Sequence, residues 1–126
     1  MILADTSVWI EHFLGRDSEL ADNLVQKKII LHPMVLGELS LGGLPKKTGI
    51  FHLLRLMRQV PAATDREVLN FVDFNRLSGA GIGWVDAHLL VACRLHNHLL
   101  WTHDKRLSLA ARSCGVKLKT PASDNE

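Results

Sequence analysis

Short apolar runs alternate with amphipathic stretches along the chain, and that alternation lays out its elements. Met1-Ile2-Leu3-Ala4 reads as a short buried strand. The segment from Thr6 to about Leu14 carries Val8, Trp9 and Phe13 and predicts a helix, broken by Gly15-Arg16-Asp17. Ser18 is placed to cap a second helix through Gln26, with Leu20, Leu24 and Val25 on one face. Ile29-Ile30-Leu31 is a second strand. Pro33 suits the first turn of the next helix, where a missing N–H costs nothing, and that helix ends near Leu41 at Gly42-Gly43. Thr48 to Met57 predicts a strongly apolar helix.

Val60-Pro61-Ala62 is a third strand, at an edge because proline donates no ladder bond. Thr64-Asp65-Arg66-Glu67 is a capping box, and Val68, Leu69, Val72 and Leu77 behind it have amphipathic helical spacing. The glycines from Gly79 to Gly83 connect it to a nearly all-apolar helix from Trp84 to about Asn97, covered on most sides. Leu99-Leu100-Trp101 makes a fourth strand, Asp104 to Cys114 a helix ended by Gly115, and Val116-Lys117-Leu118 a fifth strand. Strands alternating with helices imply an α/β fold: one α/β/α sandwich around a parallel sheet of four to five short strands. Residues 1–120 form that single domain, and the polar residues 121–126 are expected to be a disordered tail.

Composition narrows the class without deciding it. At 47% hydrophobic and 22% charged, the 126 residues have the balance of an ordinary globular domain. No basic leader opens the chain, and no apolar run approaches the roughly 18 residues of a membrane span, so a cytoplasmic location is expected. A net charge of +2 permits nucleic-acid binding without arguing for it. Cys93 and Cys114 lie in apolar helices without CxxC spacing and read as reduced thiols. His96 and His98, two apart, would point to different helix faces and offer no zinc site.

Candidate chemistry lies in four acids at junctions between apolar runs and helices: Asp5, Glu38, Asp86 and Asp104. Strand ends in α/β folds open into the crevice where ligands bind. Asp5, Thr6 and Ser7 offer three helix caps where one suffices. Glu38 is the only charged residue between Ile29 and Pro45. Asp86 stands in the first turn of the apolar helix, where the dipole contributes about 0.3–1 kcal/mol, less than the cost of burying an unpaired carboxylate. Gathered in one crevice, four carboxylates would raise one another's pKa unless a cation sat among them. Hard oxygen donors point to Mg²⁺ or Mn²⁺.

Other chemistries fit less well. The glycines at 79–83 miss the dinucleotide fingerprint, whose sixth position is here Trp84, and the chain has no GxSxG and no P-loop. A phosphorelay receiver wants paired acids after the first strand, whereas Asp5 stands alone. A non-enzymatic module for capturing RNA or a protein partner is the remaining rival, and the intact acidic quartet counts against it.

Four motifs carry a resemblance: Asp5-Thr6-Ser7-Val8-Trp9-Ile10, His32 to Leu39, Gly81 to Leu90, and Leu100-Trp101-Thr102-His103-Asp104-Lys105-Arg106-Leu107. In this order, nearly end to end, they resemble PIN domains, specifically the VapC-type toxins of bacterial type II toxin–antitoxin modules. The resemblance implies an Mg²⁺- or Mn²⁺-dependent endoribonuclease. Its acidic positions fall on Asp5, Glu38, Asp86 and Asp104, with Ser7 and Thr102 as supporting hydroxyls. It implies a homodimer and a VapB-type antitoxin that covers the site and itself binds DNA. Where some members carry a further Asp or Asn after the fourth acid, this chain has Lys105-Arg106-Leu107, which leaves both a one-metal and a two-metal site open. Lys46, Lys47, Lys105 and Arg106 are candidates for a cationic rim that draws in RNA.

Overall fold

A computed structural model describes residues 1–42 and 49–120. The elements run β1 (Ile2–Ala4), α1 (Thr6–Phe13), α2 (Glu19–Val25), β2 (Ile29–Ile30), α3 (Pro33–Leu41), α4 (Ile50–Leu56), α5 (Asp65–Phe74), α6 (Trp84–His96), β3 (Leu99–Trp101) and α7 (Lys105–Ser113). The sheet is parallel with order β2-β1-β3, so the first strand lies in the middle. Ala4 pairs with Trp101, which brings the residues after both strands to one edge. Every residue of β1 and β2 is buried, as a sheet covered on both faces requires.

The expected four to five strands are corrected to three among the described residues. The other two candidates each make a single bridge, the first at Gln59, one residue before the expected Val60-Pro61-Ala62, and the second within Val116-Lys117-Leu118. Leu31 bridges Gln59 through Leu31 N to Arg58 O at 3.0 Å and Val60 N to Leu31 O at 2.9 Å. Pro61 then has no N–H to extend the ladder. Leu100 bridges Leu118 in the same manner, through Lys117 O at 2.9 Å and Lys119 N at 2.8 Å.

Helix α6 is the central helix, buried without a break from Ala87 to Cys93. It ends at His96, and Asn97 in the left-handed region (φ 57°) turns the chain back. His98 therefore leaves the helix, and its ring stacks on that of His96 at 6.1 Å, correcting the expectation of divergent faces. Ser18 does not cap α2 with its side chain; Asp17 Oδ1 accepts from Glu19 N at 2.8 Å instead. Cys93 and Cys114 are free and buried, and burial pushes the Cys93 thiol up to about 12, which keeps it inert. No helix among the described residues is long and apolar enough to cross a membrane. Thr48, Lys46, Lys47 and the tail at 121–126 lie outside the described residues.

Candidate active site

The junction after β1 shows what three candidate caps are for. Asp5 N donates to Trp101 O at 2.9 Å, extending the strand pairing by one residue and setting Asp5 at the sheet edge. Asp5 is the N-cap of α1, and its Oδ1 accepts from Val8 N at 3.2 Å. The two remaining hydroxyls are thereby free for other work. Ser7 Oγ donates to Asp5 Oδ1 at 2.5 Å, and Thr6 Oγ1 donates to Glu38 Oε1 at 2.5 Å. From the neighbouring strand end, Thr102 Oγ1 donates to Asp5 Oδ2 and accepts from Asp104 N at 3.0 Å. Ser7 Oγ also accepts from His103 N at 3.2 Å. Asp5 is only 5% exposed, and these donors are what make its burial tolerable.

The other acids reach the same edge from three helices. Asp104 caps α7, its Oδ1 accepting from Arg106 N at 2.8 Å and Leu107 N at 3.1 Å. Glu38 stands exposed on α3, aimed by Thr6. Asp86 lies in the first turn of α6 and is half-buried, not fully buried, with Oδ2 accepting from Gly83 N at 3.1 Å. That partner corrects the expectation of an aspartate with no local justification. Its carboxyl is nevertheless held above the usual range. Burial contributes most, and the carboxylates of Asp5, Asp104 and Glu38 add to it against the lowering pull of the Gly83 N–H. The other three predicted acids therefore all act on Asp86, and Ser7 and Thr102 both touch Asp5.

No three Asp, Glu, His or Cys side chains among the described residues form a ready-made metal cage. Mg²⁺ does not require one, since it dehydrates reluctantly and is held through one or two carboxylates with several waters retained. All-oxygen donors around a carboxyl that burial and then like charges have raised match a hydrated divalent cation in chemistry. Beside Ser7 a cleft of about 450 Å³ opens between α1 and the start of α7, lined by Ser7, Ile10, Glu11, Arg16, Asp17 and His103. Of the rim candidates, Lys105 and Arg106 are exposed at the start of α7, while Lys46 and Lys47 fall outside the described residues.

Two features escaped sequence reasoning. Thr6 was one of three caps by spacing alone; only the fold brings Glu38, 32 positions on, against it. The second is a pair of buried histidines. His32 caps α3 through Nδ1, which accepts from Met34 N at 3.0 Å, and His88 follows Asp86 by one residue's interval on α6. Their rings meet edge-on at 6.0 Å, and Trp84 meets His88 edge-on at 4.9 Å. Burial, then the neighbouring His88, lowers the His32 pKa to about 4, so its ring is neutral at pH 7.

Residues 2–113 match a model of the PIN domain family. The chain is 43% identical over 124 residues to Ribonuclease VapC32 of Mycobacterium tuberculosis, in two strains, covering 98% of this chain and all of that protein. Among solved structures it resembles FitAcB from Neisseria gonorrhoeae, with a TM-score of 0.64 at 19% identity over 96% of this chain and 98% of that one. FitAB bound to an IR36 DNA fragment gives 0.62 at 17% identity over 94% of each chain. With a buried Asp5 held by hydroxyls and three further acids converging on the same parallel-sheet edge, the chain belongs to the PIN-domain family and is of the VapC type.

Proposed function

We propose that this chain is an Mg²⁺-dependent endoribonuclease, with Mn²⁺ as a substitute, acting in the cytoplasm as the toxin of a toxin–antitoxin pair. The observation that carries the reading is the convergence of four acids on one sheet edge, where Ser7, Val8 and Thr102 hold both oxygens of the buried Asp5. The kinship with a protein named as a ribonuclease supplies the substrate class. When bound, the cation supplies an activated water and neutralises charge on the scissile phosphate. Asp5, Asp86 and Asp104 would hold it, directly or through its waters. The donors on Asp5 fix both oxygens of that carboxylate, so it needs no reorganisation as RNA binds. Glu38, aimed by Thr6, orients the attacking water. In-line attack leaves a 5′-phosphate and a 3′-hydroxyl.

A homodimer and a VapB-type antitoxin complete the proposal, with DNA contacted only through the antitoxin. Helices α3 and α4 pack together, and Leu41, Leu53 and Leu56 stand exposed on them, giving partners an apolar surface to cover. The test is incubation of pooled total RNA with the protein in Mg²⁺ or Mn²⁺, beside EDTA and Asp5→Asn controls. Discrete fragments lost in both controls are expected, with the activity of Asp5→Asn lower by at least about a hundredfold, since even outer partners of a metal ligand are worth 10–100-fold. RNA left intact by folded, metal-loaded protein would return the chain to the binding-module reading.

A further inference from the structure

We infer that Arg106 grips an RNA backbone phosphate at the mouth of the acid cluster, and that Gly81 is a glycine so that Arg106 can lie across it. The inference rests on the ribonuclease reading and adds to it the residue that counters the acids' repulsion of RNA. Gly81 belongs to the loop between α5 and α6, five residues before Asp86. A Cβ built there would stand 2.7 Å from Arg106 Cδ, 3.0 Å from Nη1 and 3.3 Å from Nε. The arginine stem and guanidinium thus run along bare backbone, closer than any other residue at 81 would permit. The positive φ of Gly81, 80°, makes the same demand independently.

Arg106 is moored at its other end as well. It is the second residue of α7, and its backbone N–H is bonded to Asp104 Oδ1 at 2.8 Å. The side chain therefore spans from the turn that carries Asp104 to the loop that leads into Asp86. Its guanidinium has no hydrogen-bond acceptor and no carboxylate partner among the described residues. By contrast, Arg16 pairs with Glu11 at 3.2 Å, and Lys119 pairs with Glu19 while lying 4.4 Å over the Trp101 ring. Among the described residues, Arg106 joins a constrained path, a fork of donors without a carboxylate partner and a place between two of the acids. A guanidinium fork fits two oxygens of one phosphate, and a side chain already laid down loses less freedom on binding.

The test measures binding of a fluorescein-labelled single-stranded RNA of mixed sequence, by anisotropy in Mg²⁺ across a salt series, in an Asp5→Asn background that leaves the RNA uncut. Adding Arg106→Ala is expected to weaken binding about tenfold and to make the slope of log K against log salt shallower by about 0.7, the loss of one phosphate contact on a single strand. Gly81→Ala is expected to weaken binding comparably when Arg106 is present and to add nothing once Arg106 is alanine. Because the strain of alanine at φ 80° is the same in both backgrounds, that cycle isolates the arginine. Unchanged affinity and slope in Arg106→Ala overturn the inference, as does a Gly81→Ala effect of equal size in both backgrounds. If the wild-type protein cuts RNA and Arg106→Ala cuts it with the same KM, this inference alone is lost. If the wild-type protein neither binds nor cuts RNA, the ribonuclease reading is lost and this falls with it.

Discussion

Asp5 and the His32–His88 pair are both buried polar groups, and they are buried on opposite terms. Asp5, 5% exposed, brings a full set of donors with it: Ser7, Val8 and Thr102 occupy both carboxylate oxygens. The histidines, 0% and 1% exposed, bring almost none. His32 Nδ1 accepts one backbone bond, while His32 Nε2 and both His88 nitrogens lack hydrogen-bond partners. His88 Nε2 does lie 3.4 Å from Asp65 Oδ1, but that contact fails hydrogen-bond geometry and Asp65 is 77% exposed, so water screens it. A carboxylate goes inside only with its donors. His32 goes inside by staying neutral, and stability then depends on pH.

The largest effect tests that dependence. With a folded-state pKa near 4 against 6.5 unfolded, His32 binds its proton more readily in the unfolded chain. Its contribution is fully present above pH 6.5 and is lost as pH falls toward 4, amounting to about 3 kcal/mol. Urea unfolding across that window should show the loss, and His32→Asn, which keeps a capping oxygen and removes the titration, should flatten it. On the Asp5 side, Thr102→Val strips Oδ2 of its donor and should cost about 1–3 kcal/mol in thermal or urea unfolding. It should also lower cleavage about 10–100-fold. His88→Phe keeps a ring against Trp84 and removes two unbonded nitrogens, so stability should move by less than about 1 kcal/mol. A loss above 2 kcal/mol would mean that His88 has a polar partner in solution. Thr6→Val, acting on an exposed bond to Glu38, should alter stability by only about 0.5 kcal/mol while reducing cleavage.

What the sequence made legible was the local part of the site. Asp5 and Asp104 sit at strand-to-helix junctions, and the surplus of hydroxyls at Thr6 and Ser7 was visible as more caps than one helix needs. Illegible were the contacts made across the chain. Nothing near Thr6 announces Glu38, and nothing near Gly81 announces Arg106, since each pairing depends on how separate helices approach. The same limit governed the sheet. Val60-Pro61-Ala62 and Val116-Lys117-Leu118 look like strands, but ladder length depends on the partner's extent: the first is only flanked by the single bridge at Gln59, and the second bridges through Leu118 alone. Asp86 was the reverse case. Its setting looked apolar throughout, yet Gly83 three residues earlier supplies a backbone donor that composition does not display.

The central place of the first strand bears on when the site comes into being during synthesis. Strand β1 is made first, but one of its two neighbours, β3, and the Thr102 hydroxyl that holds Asp5 come 97 residues later. Until the ribosome has passed Asp104, Asp5 has neither its full set of donors nor its fellow acid. A chain cut short anywhere before Thr102 therefore keeps a first strand whose Asp5 has no donor for Oδ2.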